Sequence, residues 1–423
     1  MTAMGNEAMM TTLTLIDESG DKRCVEANPA PRFVKPTTPL RSRTVYAAAH
    51  VVPLAWADNT PGRPAQVDWE STIGFRRMIW SWGLGVADCM DTAQRNLGMD
   101  WPATAELMRR SGAAAAQYAR DEGWGRSVAD LVCAGVNTDQ LEPAGRRDFD
   151  LLQIVEAYLE QLHVCEQSGC GPVIMCSRHL CRAASSAADY VKVYDKVIAS
   201  AKSPVILHWL GEVFDTQLHG YFGSSDWREA SQTVLQIIAD NPGKVRGVKM
   251  SLLDADAERY MRAMLPQGVM MLTGDDMHYV DLIRDCEQDD PRCESASGGK
   301  IMMHSDALLG AFSVIAPQAS AAIQALDRGD EAGYLGVLEP TQALARQVFA
   351  EPTEYYKTSV AFLSWLNGHQ PAFQMVGGLQ SARSLPNLSR VVELANECGA
   401  LEVPELAAQR WNSLLALNGI DTA

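Results

Sequence analysis

The chain has 423 residues, of which 47% are hydrophobic, and this is enough apolar sequence for a large buried core. Its net charge of −16 argues against a nucleic-acid or anionic-membrane partner, since either would require a basic face. Ten cysteines are too few for a disulfide scaffold, so we expect reduced thiols and a cytoplasmic location. The sequence also lacks a signal-peptide pattern and the ~20-residue apolar run of a membrane helix.

Residues 1–43 are predicted to form an N-terminal appendage. Two short strands, at 11–16 and 22–25, flank the turn-forming sequence ESGD, which is typical of a β-hairpin. The proline-rich segment 29–39 then predicts a linker to the rest of the chain.

From residue 44 to residue 328, short apolar runs alternate with amphipathic helical stretches. Eight successive strand–helix units predict an α/β fold, a (β/α)8 TIM barrel, since parallel strands need crossover connections. Residues 329–423 have helical periodicity without a strand, and they predict a C-terminal helical extension. The predicted strands lie at residues 45–52, 85–87, within 127–136, at 172–176, 204–210, 245–250, 269–272 and 310–315.

Lys249 ends the sixth predicted strand, in the run VRGVK. Catalytic groups of TIM barrels lie at the carboxyl ends of strands, and an unpaired ammonium in a dry interior is costly. Such a lysine is retained where burial lowers its pKa and the free amine forms a Schiff base with a carbonyl. Gly247, on the same face of the strand, would leave room for the lysine stem. The alternative is a structural ion pair with a carboxylate.

Two more strand ends carry candidate groups. His208 ends the fifth strand, where an imidazole with a pKa near ~6.5 suits proton transfer, although a core histidine bonded to the backbone is the alternative. Asp275 and Asp276 follow the seventh strand. They could bind a polyol or a metal. Aspartate is also a favoured N-cap before a helix, and we expect one of the two residues to cap the helix that follows.

The loop after the second strand contains Asp88, Asp91 and Thr92. Two acids would repel a 2-oxo acid, and they would suit sugar hydroxyls or a divalent cation; surface-loop acids are the alternative. Arg178, after the fourth strand, could grip a carboxylate or be ion-paired. Further ligands for a cation could come from outside this loop, namely His208, Glu212, His179 and His304.

Several segments together resemble the dihydrodipicolinate synthase/N-acetylneuraminate lyase family of class I aldolases. VRGVK is similar to the family's VxGIK lysine strand, MLTGDD to its LSGDD strand end, PVILHW to PVILYN, and GAFSVIAP to its last strand motif. The resemblance extends from residue 44 to about residue 366. It implies a barrel with Lys249 as the Schiff-base lysine and His208 at the position of the proton relay. Ser313, in the last motif, joins the predicted substrate-binding residues.

The chain departs from the family pattern at three places. The family's GTTGE-type turn, which holds a substrate carboxylate, is replaced by the loop with Asp88 and Asp91. The family's relay tyrosine, at the end of PVILY, is replaced by His208 in this chain. The sequence SRHLCR replaces the paired tyrosines that follow strand four in the family. A loop at 286–306, longer by roughly twenty residues, precedes strand eight. The chain therefore resembles a divergent dihydrodipicolinate-synthase-like branch of uncharacterised function.

The first functional hypothesis is a lyase of the class I aldolase type acting on a keto-sugar or another 2-oxo compound, with expected roles in carbohydrate metabolism. We expect no organic cofactor, since neither a Walker loop nor a GxGxxG turn follows a strand, and we expect a homo-oligomer. The second is a metal-dependent sugar isomerase or hydratase, with Asp88, Asp91, His208 and Glu212 as ligands. The third is a non-catalytic barrel that binds a small molecule. The predicted site of the first hypothesis comprises catalytic Lys249 and His208, and substrate-binding Asp88, Asp91, Thr92, Arg178, Asp275 and Ser313.

Overall fold

A computed structural model of the chain describes residues 11–141, 148–284 and 304–422. Its centre is a closed barrel of eight parallel strands, in which the last strand pairs with the first. This confirms the predicted (β/α)8 fold. The barrel strands are β3 (Val45–Ala48), β4 (Gly85–Asp88), β5 (Val132–Val136), β6 (Gly171–Ile174), β7 (Val205–Leu210), β8 (Val245–Ser251), β9 (Met270–Thr273) and β10 (Asp306–Leu309), and a separate hairpin consists of β1 (Thr12–Ile16) and β2 (Lys22–Glu26).

Helices surround the barrel and continue beyond it. Most of the longer ones begin at an aspartate or serine whose side chain accepts a backbone N–H of the first turn, as Asp150 does from Gln153. In the described part of the chain, no helix is both long and apolar enough to span a bilayer. The helices are α1 (Trp69–Ser81), α2 (Trp101–Glu122), α3 (Val128–Leu131), α4 (Leu151–Gln167), α5 (Arg178–Ala183), α6 (Ala187–Ser200), α7 (Trp227–Asp240), α8 (Ala255–Met264), α9 (Tyr279–Ile283), α10 (Ala316–Asp327), α11 (Glu331–Leu338), α12 (Thr341–Val348), α13 (Tyr356–Leu366), α14 (Leu385–Glu397) and α15 (Pro404–Leu417).

The inward faces of the strands fill the barrel with a compact apolar cluster, separate from the larger core between barrel and helices. Ile206 of β7 and Leu272 of β9 belong to this inner cluster. Alternate residues of a strand share a face, so His208 also points inward. Lys249 of β8 lies in register with both His208 and Leu272. The strand pattern therefore directs the imidazole and the lysine side chain into the barrel at its carboxyl end.

The eighth strand differs from its prediction. We expected it at residues 310–315, but the strand is Asp306–Leu309, all four of whose residues are buried. The chain then turns at Gly310, where a side chain would lie 2.8 Å from the Phe349 ring, and a short 3-10 helix, Ala311–Ser313, follows. The glycine-containing motif thus forms the turn after the strand. Residues 285–303, which include most of the predicted 286–306 loop, lie outside the described residues.

The hairpin and the C-terminal helices pack together against the barrel. The backbone N–H of Ile16 donates to Ser389 Oγ at 2.8 Å, and Trp411 Nε1 donates to the Thr14 carbonyl at 2.6 Å. One hydrophobic cluster includes Leu13 of the hairpin, residues around the barrel and Trp411 of the extension. The segments that we predicted as 1–43, 44–328 and 329–423 therefore share one core.

Candidate active site

Lys249 lies at the carboxyl end of β8 with only 5% of its surface exposed. Among the described residues, its ammonium has neither a hydrogen-bond partner nor a carboxylate within ion-pair distance. Burial lowers the pKa of Lys249. The charges of Asp91 and Asp276 act in the opposite direction but do not cancel the effect of burial. The structure thus holds an unpaired amine in a desolvated position, where burial disfavours its charged form.

Gly274, just after β9, gives the lysine stem its room. A Cβ on this glycine would lie 2.8 Å from Lys249 Cε and would overlap Ser251 Oγ. We expected Gly247 to provide this space, but Met270 and Leu272 fill it, at 2.7 and 2.8 Å from an added Cβ. The neighbouring strand end, and not the lysine's own strand, therefore accommodates the side chain.

Asp276 is a buried carboxyl within electrostatic reach of Lys249. Burial raises the pKa of Asp276 to about 8, against the opposing effects of the Ala311 N–H and the Lys249 charge. The Ala311 N–H donates to Asp276 Oδ1 at 2.8 Å, which fixes the side chain at the mouth of the barrel. Asp276 can therefore hold or release a proton near neutral pH.

Asp91 and Thr92 form a second polar group after β4, together with a tyrosine from the C-terminal extension. Tyr356 Oη donates to Asp91 Oδ2 at 2.8 Å and lies 2.5 Å from Thr92 Oγ1. Lys357 Nζ lies 3.8 Å from the same Asp91 oxygen and donates to the Glu354 carbonyl. The first turn of α13 therefore contributes two side chains to the barrel mouth.

Sequence reasoning missed Tyr356, Lys357 and the role of Asp276. The periodicity of α13 indicated packing, and the resemblance to aldolases gave no counterpart for a tyrosine in this helix. A signal was present: Lys357 is the one charged residue of α13, and it is 2% exposed. This is the same feature, a lysine in a buried segment, that singled out Lys249.

His208 is fully buried beside Lys249. Its Nε2 lies 3.4 Å from Ser251 Oγ, and its Nδ1 has no partner among the described residues. Burial lowers the pKa of His208 well below its ordinary value, and the Lys249 charge lowers it further. The imidazole is therefore neutral at neutral pH, whereas the sequence interpretation assumed an ordinary pKa.

Two aspartates that we predicted to bind substrate make their hydrogen bonds elsewhere. Asp88 is fully buried and takes two hydrogen bonds from Arg76, at 2.9 and 3.2 Å, and one from Ser111. Asp275 accepts the backbone N–H groups of Met277 and His278 and contacts His278 Nδ1 at 2.8 Å. Asp88 thus acts as half of a structural ion pair, and Asp275 as the cap of the turn after β9.

The other predicted side chains are also engaged by neighbours. Arg178 donates to Asp215 at 2.5 Å, and Ser313 Oγ donates to the Gly310 carbonyl at 2.7 Å. Glu212 pairs with His219 in an exposed position. Across the three described stretches, no three His, Cys, Asp or Glu side chains form a group that could hold a metal ion. Of the predicted residues, the structure groups Lys249, His208, Asp91 and Thr92 at the barrel mouth.

Comparison with solved structures identifies the same fold in dihydrodipicolinate synthases. The enzyme from Aquifex aeolicus superimposes with a TM-score of 0.59 at 13% identity, covering 85% of this chain and 99% of that chain. The Thermotoga maritima enzyme gives 0.56 at 13% identity, with 85% and 100% covered. A putative dihydrodipicolinate synthetase from Pseudomonas aeruginosa gives 0.57 at 12% identity, with 84% and 99% covered. These likenesses confirm the fold that the sequence motifs implied.

No curated protein sequence matches the chain. One family model does, with the description "Protein of unknown function (DUF993)", over residues 13–420. Because this match spans the hairpin, the barrel and the C-terminal helices, the chain belongs to the DUF993 family, with the barrel fold of the dihydrodipicolinate synthases.

Proposed function

We propose that the protein is a class I lyase of the aldolase type, in which Lys249 forms a Schiff base with a small carbonyl compound. The observation that carries the proposal is the Lys249 amine itself: it is 5% exposed, without an ion-pair partner among the described residues, and of lowered pKa. A buried amine of this kind is the nucleophile that condenses with a ketone or aldehyde.

The chemistry follows from the iminium group. The Lys249 nitrogen adds to the carbonyl carbon and water leaves, so a C=N⁺ bond replaces the C=O bond. This cation accepts the electron pair of an adjacent C–H or C–C bond, which permits cleavage, condensation or loss of a β-hydroxyl. The iminium formed on Lys249 is the electron sink, and we therefore propose that no organic cofactor takes part.

We propose a neutral hydroxylated carbonyl, such as a keto-sugar, as the substrate in preference to a 2-oxo acid. Two carboxyl groups, Asp91 and Asp276, lie within electrostatic reach of the amine. Arg178, which we predicted to bind a substrate carboxylate, is instead paired with Asp215. Lys357 likewise lies beside a protein carboxylate, 3.8 Å from Asp91. Carboxyl oxygens around the reacting carbon accept hydrogen bonds from substrate hydroxyls, and the negative charge of Asp91 repels a substrate carboxylate.

Two further expectations stay part of this proposal. Free thiols at the described cysteines are consistent with a reducing compartment, and we propose a cytoplasmic enzyme. We also propose a homo-oligomer, which sedimentation of the purified protein would test directly.

Borohydride trapping tests the Schiff base. The protein is incubated with dihydroxyacetone, hydroxyacetone, pyruvate or 2-oxobutanoate, reduced, and analysed by intact mass and peptide mapping. We expect a stable adduct on Lys249, larger in amount with the neutral ketones, and none in Lys249→Ala. Lys192→Ala, which removes an exposed lysine on α6, is the matched control and should be trapped like the wild type. Absence of any adduct, or an adduct that persists in Lys249→Ala, would overturn the proposal.

A further inference from the structure

We infer that Tyr356, delivered by the C-terminal extension, is the catalytic residue that transfers the substrate proton, and that Asp91 is the group that finally holds it. This inference rests on the proposed Schiff base at Lys249 and assigns its acid–base partner. It also gives the extension a catalytic task, because the barrel strands alone would leave the site without this hydroxyl.

The hydroxyl of Tyr356 is held in a single orientation. It is 2.8 Å from Asp91 Oδ2 and 2.5 Å from Thr92 Oγ1, both in the turn after β4. Its ring stacks on Phe349 with centroids 4.3 Å apart and meets Phe214 edge-on at 5.9 Å. A buried phenol fixed by two hydrogen bonds and two aromatic neighbours is preorganised for proton transfer.

Asp91 connects this hydroxyl to the reactive amine. The charge of Asp91 opposes the effect of burial on the pKa of Lys249, and its carboxylate also accepts a hydrogen bond from Tyr356. Asp276 accepts the N–H of Ala311, whose neighbour Gly310 lies against the Tyr356 ring, and Gly274, two residues before Asp276, lies against the Lys249 stem. The amine, the phenol and the two carboxyls therefore share one site at the barrel mouth.

Lys357 is the positioning residue of this group. Its Nζ lies 3.8 Å from Asp91 Oδ2, the same oxygen that accepts the Tyr356 proton, and it donates to the Glu354 carbonyl. Lys357 and Tyr356 both contact this oxygen, and together they fix the orientation of the Asp91 carboxylate that faces the phenol.

The proton transfer balances without any further reactant. In the iminium, the α-C–H bond breaks, its proton bonds to Tyr356 Oη, and its electron pair forms the C=C bond of an enamine. The C=N π pair returns to the Lys249 nitrogen. At the same time the original Oη–H proton passes to Asp91 Oδ2, so tyrosine remains a phenol and Asp91 becomes a carboxylic acid. The reverse transfers protonate the enamine.

His208 suits this role less well, although it occupies the strand position that the sequence indicated. Its closest hydrogen-bond contact is Ser251 Oγ, at 3.4 Å from Nε2. In the described part of the chain, neither ring nitrogen of His208 is bonded to a carboxylate. A proton accepted by this imidazole would have no acid–base group to receive it next.

Solvent exchange separates proton transfer from Schiff-base formation. Dihydroxyacetone is incubated with protein in D2O, and loss of its C–H signals is followed by NMR, in parallel with borohydride trapping. We expect the wild type to form the Lys249 adduct and to exchange protons. Tyr356→Phe and Asp91→Asn should still form the adduct but exchange at least about 10²-fold more slowly, the usual size of general acid–base catalysis. His208→Asn should exchange within about tenfold of the wild type.

Tyr355→Phe is the matched control, because Tyr355 is the adjacent tyrosine, half-buried, with no hydroxyl hydrogen bond among the described residues. It should exchange like the wild type. If Tyr356→Phe exchanges at the wild-type rate while trapping is intact, the relay is wrong and the Schiff base stands. If the wild type forms no adduct, the proposed function fails first, and the relay with it. Circular dichroism of each variant confirms the fold.

Discussion

Gly274 and Lys249 are in contact across the ends of two neighbouring strands. Because Gly274 has no side chain, the Lys249 side chain can occupy the space beside it. The Cβ of any residue at 274 would lie 2.8 Å from Lys249 Cε, well inside van der Waals contact. The glycine N–H meanwhile donates to the Met250 carbonyl at 2.8 Å, so the backbone cannot easily retreat. The placement of the amine thus depends on a residue outside its own strand.

Gly274→Ala should therefore displace the Lys249 side chain. We expect the rate of borohydride-trapped adduct formation to fall by tenfold or more, since a shift of about 1 Å can cost about 10²-fold in rate. Overpacking should cost about 1–3 kcal/mol of unfolding free energy. Gly336→Ala, in α11 with open space around an added Cβ, is the control and should leave trapping unchanged. An unaffected trapping rate in Gly274→Ala would contradict this account of the lysine.

Asp88 should behave as a structural residue. Its carboxylate and the Arg76 guanidinium are both fully buried and bonded at 2.9 Å. Asp88→Ala would leave the buried Arg76 charge without its partner. The free energy of unfolding, measured in urea, should therefore fall by about 3–5 kcal/mol. The double variant Arg76→Met/Asp88→Leu should recover much of that loss. A variant at Asp88 that keeps its stability but loses a stoichiometric metal would instead support the metal-dependent hypothesis.

His208 should remain neutral throughout the physiological pH range. Its pKa is lowered by burial, so the unfolded chain binds a proton below about pH 6.5 that the folded protein does not. His208 therefore contributes a loss of stability as the pH falls below that value, and His208→Asn should show less acid destabilisation. The ring nitrogen shifts in ¹⁵N NMR should stay those of neutral imidazole as the pH falls through about 6.5, where an exposed histidine titrates. A shift change centred near pH 6.5 would refute the prediction.

Glu258 should give the protein a second pH dependence, with the opposite sign. Burial raises its pKa from 4.5 to about 7, and its Oε2 lacks a partner among the described residues. The folded protein therefore keeps a proton that the unfolded chain has lost between these values, and stability falls as the pH rises through that window. Glu258→Gln should remove up to about 3 kcal/mol of this pH-dependent loss. The exposed Glu339→Gln, measured in the same denaturant series, should leave the slope as in the wild type.

Strand order and the candidate lysine could be predicted from the sequence because both depend on local patterns. Buried parallel strands have continuous apolar runs, and a lysine that ends such a run, as Lys249 does, is conspicuous. The eighth strand was misplaced because Gly310 and Ser313 fit a strand-like motif, whereas the residues before them pair with β3. Period-2 alternation placed His208 correctly on the inner face, but it could not give the pKa of an imidazole enclosed on all sides.

The sequence by itself determined the barrel, the inward direction of Lys249 and the acidic character of the loop after β4, because apolar periodicity and strand-end chemistry are properties of neighbouring residues. Only the tertiary structure decided which acids face the amine. Asp88 is hydrogen-bonded to Arg76, twelve residues away in the sequence, and Asp91 is hydrogen-bonded to Tyr356, 265 residues away. The hydrogen bond between Asp91 and Tyr356 depends on how α13 packs over the barrel. The local sequence pattern of either segment does not predict that packing.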